Sequence, residues 1–98
     1  MKKYDITDKL AFNENPVIKI KDLEIEIDAD AKTVLQVGIA MEKDDSFETL
    51  LMAYNTLFSE SDRKKIEKLK LKGAPFMQFV NAAVILAMGG DPEVKGEA

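Results

Sequence analysis

The chain contains no cysteine and no histidine. Disulfides, thiol nucleophiles and the common structural zinc ligand sets are therefore excluded, and the most frequent general base is missing with them. Proline and glycine are scarce, at three and five residues, too few for a fibrous or low-complexity chain. No internal repeat of 20 to 50 residues interrupts the sequence. Its 98 residues suffice for one core and not for two. What is present is the balance of a folded domain, 46% hydrophobic and 33% charged residues.

Fourteen bases against eighteen acids leave a net charge of −4. Long-range electrostatics thus oppose nucleic acid as a partner. Near the start, Lys2 and Lys3 are followed by Asp5 and Asp8 before any apolar run. A signal peptide would need that run, so the expectation is a cytoplasmic protein.

Residues 17–28 alternate apolar and charged side chains, with a change of phase at Lys21 and Asp22, which predicts a β-hairpin. With Lys21 and Asp22 as a two-residue turn, Ile20 faces Leu23 and Ile18 faces Ile25, while Lys19, Glu24 and Glu26 face solvent. A longer loop is the alternative, because neither turn residue is the glycine that primed turns favour. A bare ribbon is barely stable in water, so its apolar face must lie on helices or on a further strand, for which residues 4–7 are available.

Four helices follow. Asp30 is placed to cap the first, over 31–42, with Val34, Leu35, Gly38 and Met41 on one face and Val37 and Ile39 widening it. Ser46 caps the second, where Phe47, Leu50, Leu51, Tyr54, Leu57 and Phe58 share one arc. Ser59 or Ser61 caps the third, from Asp62 to about Leu71, with Ile66 and Leu69 as apolar contacts. Pro75 opens the fourth, which runs to Met88 and is stopped by Gly89. The predicted fold is α+β: an N-terminal hairpin, two- or three-stranded, packed on about four helices. Residues 1–88 form its single domain, and 89–98 form a flexible tail.

No catalytic, cofactor or metal site is predicted. The acids lie at caps, on a strand face and in a loop without a partner base or phosphate loop. The start of a calcium loop at Asp28 and Asp30 lacks the glycine and the distant glutamate. Each serine sits at a helix start, where a cap explains it. The protein is read as a non-enzyme. Residues 63–72 hold six cations and one acid, which fits a solvated face, an acidic partner or, least well, nucleic acid, since aromatic base-stackers are absent nearby.

Residues 73–90 are eighteen without a charge. Their helical part is short of the ~20 residues that span a bilayer and holds Pro, Gln and Asn, so a membrane span is excluded. Phe76, Phe79, Val80, Ala83, Val84 and Ala87 make one stripe. Met77, Ile85 and Met88 flank the other side around Gln78 and Asn81. That second side is either covered by the hairpin or used for a partner or a second copy.

Four phrases carry a family resemblance: Lys3-Tyr4-Asp5-Ile6-Thr7-Asp8-Lys9-Leu10, the Asn15-Pro16 opening of the hairpin, Asp28-Ala29-Asp30-Ala31 entering a helix, and residues 54–66, which read YNTLFSESDRKKI. Across most of residues 3–90 the chain resembles the small tail assembly chaperones of long-tailed bacteriophages and prophages of Gram-positive bacteria. The Gly73-Ala74-Pro75 entrance to the last helix lies outside that likeness. The resemblance implies a non-catalytic protein of the bacterial host cytoplasm. It would coat the tape measure protein, recruit tail tube subunits and be missing from the finished particle. It also implies a frameshift-extended form, for which residues 89–98 are the natural joining point. The contact surface expected on this reading is Phe76, Met77, Phe79, Val80, Ile85 and Met88, rimmed by Lys64, Lys65 and Lys68, with homo-oligomers possible through the same face. The competing readings are a minor tail or connector subunit retained in the particle, and a small nucleic-acid-binding regulator using residues 63–72.

Overall fold

The computed structural model describes residues 15–92 together with Lys3 and Asp5. A two-stranded antiparallel hairpin, β1 (Val17–Ile20) and β2 (Leu23–Glu26), precedes four helices: α1 (Ala31–Lys43), α2 (Phe47–Leu57), α3 (Glu60–Glu67) and α4 (Gly73–Ala87). This is the small α+β arrangement that the alternation and the helical periods predict. The third strand considered for residues 4–7 lies outside the described residues.

The hairpin register pairs Ile20 with Leu23 and Ile18 with Ile25. The turn is the two-residue one, and Lys21 accommodates it by taking φ 55°, a left-handed conformation that costs a residue with a Cβ about 1 kcal/mol. At the open end Asn15 acts as a clasp. Its Nδ2 donates to Glu26 Oε2 at 2.8 Å, and its Oδ1 accepts from the Ala29 amide at 3.2 Å. The Ile27 amide donates to the Pro16 carbonyl and the Asp28 amide to the Leu57 carbonyl, both at 2.9 Å. The ribbon is thereby tied to the end of α2, and β2 also packs against α3.

Helix ends follow local chemistry. Ser46 Oγ accepts from the Thr49 amide at 3.3 Å, and Ser59 Oγ from the Asp62 amide at 3.2 Å, each satisfying one orphan donor of a first turn. Ser59, not Ser61, is thus the cap of α3. Asp30 occupies the cap position of α1 but makes no side-chain cap bond. Asp28 braces the entry to the helix, accepting from the Asp30 amide at 3.1 Å and from Thr33 Oγ1 at 3.5 Å. α3 ends at Glu67, short of Leu71, because Lys70 turns the chain through φ 55°. α4 starts two residues ahead of Pro75, which still falls in the first turn, where its missing N–H is not needed. Gly89 at φ 88° ends α4. Its amide donates to the Leu86 carbonyl at 3.0 Å and that of Gly90 to the Ile85 carbonyl at 2.9 Å, which is the Schellman pattern.

The core gathers Ile25 from β2 and Ile27 just after it, Val37 from α1, Ala53, Tyr54 and Leu57 from α2 and Phe58 just past its end, Ile66 from α3, and Phe79, Val80, Ala83 and Val84 from α4. An aromatic chain runs through it. Tyr54 meets Phe76 edge to face at 4.9 Å between centroids, and Phe58 stacks on Phe79 at 5.4 Å, geometries that add to the burial of the rings. No polar or charged residue is buried among the described residues.

Candidate apolar docking face

Two sides of the helical layer remain uncovered. On α1 the buried position is Val37, with Met41 partly buried beside it, while Leu35 is 63% exposed and Ile39 52%. The predicted face of α1 is therefore rotated: Val37 points into the core, and Leu35 and Ile39, each about 160° from it at ~100° per residue, lie on the opposite, uncovered side. On α2 the predicted arc is buried only toward the C-terminal end, and Phe47 is 78% exposed and Leu51 54%.

These residues wall two grooves. The first, about 610 Å³, runs between α1 and the end of α4 and is lined by Val34, Leu35, Gly38, Ile39, Met41, Glu42, Val84 and Met88. Gly38 leaves room here for the Met88 side chain, since a Cβ on it would stand 3.1 Å from Met88 Cε. The second, about 440 Å³, lies between the starts of α2 and α4 and is lined by Phe47, Leu50, Leu51, Gly73, Phe76 and Met77. Gly73 adds no side chain to it and has nothing within 4 Å of where a Cβ would be.

The expected contact residues divide between surface and core. Met77, Ile85 and Met88 are exposed, and Phe76 is half-buried. Phe79 and Val80 are core residues, 7% and 0% exposed, and the contact face does not include them. They point inward because α4 spends that side on Phe58 and the rest of the core. The hairpin does not cover the opposite side, since no strand residue lines either groove. Lys64, Lys65 and Lys68 are exposed on α3 and just past its end, and α3 walls neither groove. Lys64 pairs with Glu60 and Lys65 with Asp62, each at 3.9 Å on the surface, contacts worth little in stability. Arg63 is engaged otherwise: Nη1 donates to the carbonyls of Asn55 and Phe58, satisfying the end of α2.

The sequence pattern puts Leu35, Ile39, Phe47 and Leu51 on the apolar faces of their helices without saying that part of each face stays open. The available signal was that α1 is more apolar than a surface helix requires, which points to an uncovered side without saying which residues lie on it.

A third, smaller hollow of about 170 Å³ holds Asn15, Glu26, Asp28, Ser59 and Asp62. Its polar groups serve the fold, as the Asn15 clasp, the Asp28 turn and the Ser59 cap show. Tyr54 carries the clearest perturbation. Burial, then the hydrogen bond and charge of Glu67, push its hydroxyl up to about 12. It donates to Glu67 Oε2 at 3.0 Å, with the Arg63 carbonyl a longer alternative at 3.3 Å. No helix among the described residues is long and apolar enough to cross a membrane. Comparison with known protein families, curated proteins and solved structures finds no match to this chain.

Proposed function

We propose that the protein is a non-catalytic tail assembly chaperone of a phage or prophage, holding the tape measure protein and recruiting tail tube subunits during tail morphogenesis. The observation that carries the reading is the exposed apolar face, with Leu35, Ile39, Phe47 and Leu51 all more than half exposed on a small acidic domain. Exposure on that scale needs an occupant in a chain that must stay dispersed. The resemblance of residues 3–90 supplies the identity of the occupant. A chaperone needs a sticky surface and no reacting groups, which accords with a chain lacking histidine and cysteine.

The test is co-expression with a tape measure protein and its tube subunit. The natural chain keeps the tape measure protein soluble, and the double variant Ile39→Glu with Phe47→Glu, folded by circular dichroism, does not. Mass spectrometry of mature particles finds the chain absent. Unchanged solubility with the double variant overturns the reading, and recovery of the chain in particles makes it a structural tail subunit instead.

A further inference from the structure

We propose that the two grooves form one track for a single amphipathic α-helix of another protein, bearing Lys or Arg beside its apolar stripe. The inference rests on the assembly reading and specifies the chemistry of the partner. Gly73, Met77, Val84 and Met88, which line one groove or the other, fall within about 60° of one another around α4 at ~100° per residue. Both grooves therefore open on the same side of α4. From Gly73 to Met88 that side measures about 22 Å at ~1.5 Å per residue, the length of a helix of about fifteen residues. Every wall is helical, and no strand edge is offered to an extended peptide, which selects the helix-in-groove mode.

Charge selects the flank of that helix. Between the grooves the α1–α2 corner carries Glu42, Asp44, Asp45 and Glu48, all exposed. Glu42 lines the first groove, and Asp45 and Glu48 lie beside Phe47 of the second. Glu42, Asp45 and Glu48 have no ion-pair partner among the described residues, where both ion pairs belong to α3. Asp44 spends its carboxylate on Ser46 and Thr49. The bases next in sequence to groove residues are Lys32, two residues before Val34, Lys43 in the corner, and Lys72 ahead of Gly73. A second copy docked on this same face about a two-fold axis would set the acidic corner against itself. A cationic flank meets it favourably.

The experiment uses the full chain and two labelled peptides of about sixteen residues with the same leucine stripe, one flanked by lysines and one by glutamates. Fluorescence anisotropy should show the lysine peptide binding at least about tenfold more tightly than the glutamate peptide, with the advantage shrinking as salt rises. Leu35→Asn with Leu51→Asn abolishes binding, and Asp45→Asn with Glu48→Gln reduces the lysine peptide's advantage. Amide shift changes fall on α1, α2 and α4. Equal binding of the two peptides, or retention of binding by the Leu35→Asn, Leu51→Asn variant, overturns the proposal. So does concentration-dependent self-association that this variant loses, which would make the occupant a second copy. If no peptide binds while the tape measure protein is still kept soluble, the track falls and the assembly reading stands. If the peptide binds here and the tape measure protein is not rescued, the reverse holds.

Discussion

Phe47 and Leu51 in the first half of α2, and Tyr54 and Phe58 at its end, fall on one stripe within about 60° at ~100° per residue, yet Phe47 is 78% exposed and Phe58 2%. The later pair is covered because α4 presents Phe76 and Phe79 to it. The earlier pair stands beside the start of α4, where Gly73 has no side chain to lay over it and Phe76 and Met77 leave an open groove. A helical period therefore identifies which side of α2 is apolar. What lies against that side depends on the side chains of a segment some twenty-five residues later in the chain.

The largest expected effect separates the two halves outright. Phe58→Ala should cost about 3 to 5 kcal/mol, since it removes a ring stacked within the core, whereas Phe47→Ala should stay within about 0.5 kcal/mol. Urea unfolding midpoints measure both, and comparable losses would dissolve the distinction. Next comes Tyr54→Phe, expected to cost about 1 kcal/mol through the lost bond to Glu67. Folding holds the Tyr54 proton more tightly, so this contribution is complete below the ordinary tyrosine value of about 10 and disappears as pH rises toward about 12. Unfolding curves taken across that alkaline interval should show the natural chain losing more stability than the variant. The smallest effect sharpens the comparison from the other side. Gly73→Leu supplies the missing bulk and should raise stability by about 0.5 to 1 kcal/mol through added helix propensity and partial cover of Phe47. A fall in the midpoint would mean that the second groove cannot be filled from within.

Much of the fold was legible because its signals are local. The hairpin register follows from the alternation around Lys21 and Asp22, and the Ser46 cap and Gly89 stop are read from residue type and position. Two local readings shifted for reasons equally local: Asp28 reaches Thr33 in place of an Asp30 cap, and Lys70 turns α3 off early. The candidate face was legible only in part. Met77, Ile85 and Met88 were assigned to the outer side of α4 and are exposed there. Phe79 and Val80 were expected in the contact surface and are core, while Leu35, Ile39, Phe47 and Leu51, read only as members of apolar helix faces, are exposed. Each of these depends on a neighbour distant in sequence.

By itself the sequence determined the order and kind of the elements, the register of the ribbon, the Ser46 cap and the Gly89 stop, and the lack of thiol and imidazole chemistry. These are consequences of side-chain period, backbone preference and functional-group inventory, which act within a few residues. Tertiary structure alone decided which apolar stripes were covered. Burial is a property of pairs of surfaces, and α4 has bulk enough at Phe76 and Phe79 to close one half of α2 and too little at Gly73 to close the other.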